Sequence, residues 1–70
     1  MIKMCEANVY LIDEVGKEEL IFELVDKIRP ENEKLILENI FGQQKILSAQ
    51  IKEMSLASHR VIVEMLKKPD

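Results

Sequence analysis

This chain has one cysteine, one histidine, no tryptophan, two glycines and two prolines in 70 residues. Each scarcity excludes something. A single cysteine cannot form a disulfide within the chain. One cysteine and one histidine cannot fill a four-ligand zinc site of the usual Cys/His kind. Two phenylalanines and one tyrosine make a thin set for stacking on nucleic-acid bases. No apolar run approaches the roughly 20 residues of a membrane helix. The amino terminus shows no apolar core followed by a small-residue cleavage site, so no export signal is read. A free thiol without an export signal places the chain in the cytoplasm by expectation.

Charge is mixed as well. Ten basic residues stand among thirteen acidic ones, for a formal net charge of -3. Stretches such as Lys17-Glu18-Glu19 and Asp26 to Lys34 mix or alternate sign. A polyanion-binding domain concentrates lysine and arginine on one face instead. Lys27, Arg29, Lys34, Lys45, Lys52 and Arg60 are the candidates for an RNA-facing set, and the acidic total argues against it.

What is present is a succession of short apolar runs with period two, separated by turn residues. Seventy residues make one domain, with a core that is marginal by itself. A fold this small gains from a staple, either a metal or a second subunit.

The first strand is expected at Cys5–Ile12, with Cys5, Ala7, Val9 and Leu11 on one face. Asp13 to Gly16 reads as a hairpin loop. The second strand, Lys17 to Val25, is expected to turn Leu20, Phe22 and Leu24 inward. Arg29 to Glu33 reads as a turn around Pro30, with Asn32 suited to a left-handed conformation. Lys34–Ile40 is the third strand, with Leu35 and Leu37 inward. Phe41-Gly42-Gln43 reverses the chain. Gln44–Ile51 is the fourth strand, Met54–Ser58 a connector, and His59–Met65 the fifth, with Val61 and Val63 inward. The prediction is therefore an all-β fold: a small five-stranded antiparallel SH3-like barrel spanning 1–70, with flexible ends at Met1–Lys3 and Lys67–Asp70.

Chemistry is sparse. Cys5 and His59 would form a nucleophile–base pair only if the first and last strands were neighbours. No glycine-rich loop or oxyanion-type motif supports catalysis, so the chain is not read as an enzyme. The carboxylate pairs Asp13/Glu14, Glu18/Glu19 and Glu31/Glu33 read as solvated surface. Met4, Met54 and Met65 read as packing before soft ligands. Cys5 has two readings: a small apolar filler, or a thiolate that two copies of the chain bring together at a shared axis.

The opening Met4-Cys5-Glu6-Ala7-Asn8-Val9-Tyr10 resembles the CooT family of small nickel-binding proteins, also described as RNA-binding. So do the hairpin Ile40-Phe41-Gly42, the run Ile51-Lys52-Glu53-Met54-Ser55-Leu56 and the run His59-Arg60-Val61-Ile62-Val63. The resemblance spans about Met4 to Glu64. It implies an SH3-like homodimer that assists maturation of nickel-dependent carbon monoxide dehydrogenase. It implies a nickel(II) ion near the dimer axis, bound through Cys5 with backbone nitrogens around Met4 and Cys5. In the family that cysteine follows the initiator methionine; here Met1-Ile2-Lys3 precede Met4. A terminal-amine ligand is available only to a chain that starts at Met4 and loses it. The alternative reading is an RNA- or protein-binding barrel without metal.

Overall fold

The computed structural model describes the backbone of residues 2–66 and the side chains of residues 6–66. Among the described residues it contains six strands and no helix: β1 (Ile2–Ile12), β2 (Glu18–Glu31), β3 (Lys34–Asn39), β4 (Gln44–Leu47), β5 (Ala49–Ser55) and β6 (Arg60–Met65). They form one sheet in the order β4-β3-β2-β1-β6-β5. Four neighbouring pairs are antiparallel and the β1–β6 pair is parallel. The two edge strands, β4 and β5, follow one another in the chain with only Ser48 between them. The sheet therefore curls until its edges meet through the backbone, which gives a small barrel-like fold.

The core follows the period-two reading of β1, β3 and β6. Ala7, Val9, Val25, Ile28, Leu35, Leu37, Ala49, Val61 and Val63 are buried together. Leu11, Phe22, Leu47, Ile51 and Met54 pack against them while partly exposed.

Four local features depart from simple alternation. The expected fourth strand is divided at Ser48, where the chain passes from β4 to β5. The expected turn at Arg29–Glu33 shrinks to Asn32-Glu33, and Pro30 lies inside β2 opposite Leu35. Asn32 and Glu33 both have positive φ, 48° and 64°, which is the type I′ hairpin geometry. The closing pair of such a hairpin, Glu31 and Lys34, is the hydrogen-bonded one, so the next pair is not. The Pro30 nitrogen thus points away from β3. It also lies past Ile28, whose partner Ile2 is the outermost described residue of β1. The missing N–H interrupts no ladder there.

The third departure corrects the inward face expected of β2. Leu20 and Leu24 are 43% and 39% exposed. Leu20 pairs with Tyr10, on the outer face, and Leu24 sits in an irregularity with φ of 56°. That irregularity bends β2, so one strand serves both halves of the barrel. Its amide donates to Asn8 Oδ1 at 3.4 Å, and its carbonyl accepts the Ile40 N–H at 2.9 Å. Only Phe22 of the three packs on the core.

The fourth lies on the segment that carries Cys5. Lys3 stands opposite Lys27 and Ala7 opposite Val25. Three residues of β1, Met4, Cys5 and Glu6, therefore face a single residue of β2, Asp26.

Candidate metal centre

The excess of three residues over one takes the Met4–Glu6 stretch out of the regular β1–β2 ladder. On its other side, β1 pairs with β6 only from Asn8 onward, where Asn8 meets Arg60. The backbone of Met4, Cys5 and Glu6 thus has no regular strand partner on either flank among the described residues. Unladdered backbone needs another partner: water, a ligand or a second chain. The Cys5 side chain lies outside the described ones, as does that of Met4.

Asp26 is the residue that faces this stretch, and it is itself bulged. Between Val25 and Lys27, β2 advances two residues while β3 advances one, from Asn39 to Glu38. Val25 and Ile28 are both buried, three apart instead of two. Asp26 falls in that gap. Its Oδ1 is sealed from solvent and has no hydrogen-bond partner. A buried carboxylate oxygen in that state calls for an explanation.

The neighbouring Lys27 is committed elsewhere. Its Nζ donates to Glu38 Oε2 at 3.1 Å. The hydrogen bond with Glu38 is the chief cause that holds the Lys27 ammonium above its ordinary range, aided by the charges of Glu38 and Asp26. Glu38 is held below the ordinary carboxylate range, first by the Gln44 amide that donates to Oε1 at 2.9 Å, then by Lys27.

Other candidates named from the sequence are spoken for or scattered. His59 is exposed, with φ of 54°, and its carbonyl accepts the Asn8 N–H at 2.9 Å. That contact is three residues beyond Cys5, about 10 Å along an extended strand. The first and last strands are neighbours, yet their register does not bring Cys5 and His59 together. Met54 packs on the core and Met65 is half exposed. Asp13 holds its own loop: Oδ1 accepts the amides of Val15 at 3.0 Å and Lys17 at 2.9 Å.

Of the basic candidates, Lys27, Arg29 and Arg60 are ion-paired with Glu38, Glu31 and Glu18. Lys45 Nζ donates to the Ile21 carbonyl at 3.1 Å. Lys34 and Lys52 are left without an ion-pair partner among the described residues. The Arg60 guanidinium also covers the Tyr10 ring, 4.5 Å from its centroid, so Tyr10 is not a free stacking platform. Phe41 is 71% exposed at the β3–β4 turn.

Among the described residues no three His, Cys, Asp or Glu side chains converge to hold an ion. Within those residues one subunit offers an unladdered backbone segment and an orphaned carboxylate, and no complete cage.

The family model for the CO dehydrogenase accessory protein CooT matches residues 4–64. This chain belongs to the CooT family. The match begins at Met4, the residue before Cys5. The crystal structure of a protein assigned as CooT from Carboxydothermus hydrogenoformans superposes with a TM-score of 0.82 at 46% identity. The alignment covers 90% of this chain and all of that one. No curated protein matches the chain. The all-β barrel-like fold and the family are those the sequence resemblance implies, and the family description is that of an accessory protein to CO dehydrogenase.

Sequence reasoning does not single out Asp26 in the site or Asn39 in the β3–β4 turn. Asp26 reads in the sequence only as part of the mixed-charge stretch Asp26 to Lys34, and nothing in its spacing marks the bulge. The structural role of Asn39, 6% exposed, was also missed.

Proposed function

We propose that this CooT-family protein is an accessory factor, not a catalyst, that works as a homodimer and carries one nickel(II) ion between its two subunits. Each subunit supplies the Cys5 thiolate. Backbone nitrogens of Met4 and Cys5 complete the set, and the cargo is destined for a nickel enzyme such as carbon monoxide dehydrogenase. The observation that carries this reading is the position of Cys5. It lies in the one stretch of β1 that leaves the ladder on both flanks, within a chain whose family model is that of a CO dehydrogenase accessory protein.

Thiolate sulfur is a soft donor, and square-planar nitrogen and sulfur sets suit nickel(II). A backbone nitrogen is best able to serve as a ligand where the regular ladder is interrupted, and Met4 and Cys5 have no Cα partner in either the β1–β2 or the β1–β6 register. One subunit supplies a single thiolate, so a two-fold arrangement doubles the donor set without any further side chain. A reducing cytoplasm keeps that thiol available. Binding requires loss of the thiol proton, so affinity rises with pH across the thiol's titration.

The test is titration of nickel(II) into the wild type and Cys5→Ser, followed by sulfur-to-metal charge-transfer absorption. The wild type is expected to develop the band and Cys5→Ser to lack it. Identical spectra would remove Cys5 from the site.

A further inference from the structure

We propose that Asp26 is a second anionic group of the cation site, delivered from β2 to the ion that Cys5 binds from β1. The inference rests on the nickel reading above and adds to it a residue that neither the sequence motif nor the family match singles out.

Three observations converge on Asp26. The register places it alone opposite Met4, Cys5 and Glu6. A second register shift, against β3, makes Asp26 the extra residue on that side too, so both its neighbours in the sheet are displaced around it. Its Oδ1 is closed off from solvent and accepts nothing. An ordinary surface aspartate satisfies both oxygens with water. An aspartate with a structural role accepts nearby amides, as Asp13 in its hairpin loop does through Oδ1 from Val15 and Lys17. Asp26 does neither. The nearest cation in sequence, Lys27, already donates to Glu38.

A buried carboxylate oxygen with no donor is a local cost in the metal-free protein. A divalent cation removes that cost and adds charge neutralisation. Carboxylate oxygen is a common donor or outer partner beside thiolate and nitrogen donors. The pairing also explains why the chain spends two register shifts around one residue: they put a carboxylate and an unladdered cysteine segment at the same height on adjacent strands. Asp26 is thus expected to oppose stability without metal and to favour it with metal, a signature that a purely structural residue does not show.

The experiment uses the full chain, nickel(II) chloride as probe, and the variants Asp26→Asn, Asp26→Glu and Cys5→Ser. The readouts are nickel affinity by calorimetry, the sulfur-to-nickel absorption band, and the thermal midpoint with and without metal. For Asp26→Asn the expected result is a metal-free midpoint at or above the wild type's. Its nickel affinity should fall roughly 10- to 100-fold, with the sulfur band retained at saturation. Asp26→Glu should recover part of that affinity. Wild-type affinity in Asp26→Asn would overturn the role of Asp26 and leave Cys5 standing. A metal-free Asp26→Asn less stable than wild type would make Asp26 a structural residue and equally overturn the proposal. Wild-type binding and absorption in Cys5→Ser would overturn the underlying nickel reading and this proposal with it.

Discussion

Asn39 Oδ1 accepts the backbone N–H of Gln43 at 2.9 Å, while Asn39 Nδ2 donates to Gln43 Oε1 at 2.7 Å. The same Oδ1 takes the Phe41 amide at 3.0 Å. This one buried amide closes the β3–β4 turn, whose Gly42 has φ of 80°. Replacing Asn39 with alanine strands two amides and Gln43 Oε1. The expected loss is about 2–3 kcal/mol of unfolding free energy in urea denaturation. A loss under 0.5 kcal/mol would mean that water replaces the side chain at no cost.

Leu37 is fully buried, in the middle of the core. Leu37→Ala leaves a cavity in a domain with little apolar area to spare. The expected cost is about 2–5 kcal/mol, enough to threaten folding of so small a chain. The denaturation midpoint, compared with that of the exposed-site variant Ile46→Ala, checks it; Ile46 is 59% exposed.

Glu33 has φ of 64° in the hairpin between β2 and β3 and is exposed. Asn-Gly is the preferred pair for this turn. Glu33→Gly should therefore raise stability, by about 0.5–1 kcal/mol. A fall in the thermal midpoint would show that the Glu33 side chain stabilises the turn by other means.

The Lys27–Glu38 pair predicts a pH window. Glu38 is lowered, so its contribution is full above the ordinary carboxylate value and is lost as pH falls through the lowered one. Lys27 is raised, so its contribution is full below the ordinary ammonium value and is lost as pH rises through the raised one. The stability difference between wild type and Glu38→Gln should be flat between those limits and shrink at both ends. It should also shrink in high salt, because the pair is partly exposed. A difference that stays constant as pH falls well below the ordinary carboxylate range would refute the pairing.

How much of this was legible beforehand differs by element. The inward residues Ala7 and Val9 of β1, Leu35 and Leu37 of β3, and Val61 and Val63 of β6 could be read from alternation, although Ile62 between the last two is buried as well. The loops at Asp13–Gly16 and Phe41–Gln43 were marked by glycine and aspartate. Leu20 turns outward because β2 carries an extra residue, Ile21, where β1 steps from Val9 to Tyr10, and Leu24 because it sits in a separate irregularity between Phe22 and Val25; each shift changes parity locally. Pro30 was read as a breaker, since the sequence does not reveal that its nitrogen points away from β3. The parallel β1–β6 pairing left no local trace, because it depends on how the sheet curls. Cys5 was legible as a candidate by its rarity and its setting beside Met4. Asp26 was not, because its burial arises from two register shifts that only the assembled sheet displays.

The central claim is that one nickel ion is shared by two subunits through Cys5. Native mass spectrometry of the nickel-loaded protein tests it most directly. The account predicts two chains with one nickel for the wild type and no bound nickel for Cys5→Ser. A single chain holding its own nickel, or a loaded Cys5→Ser, would contradict it.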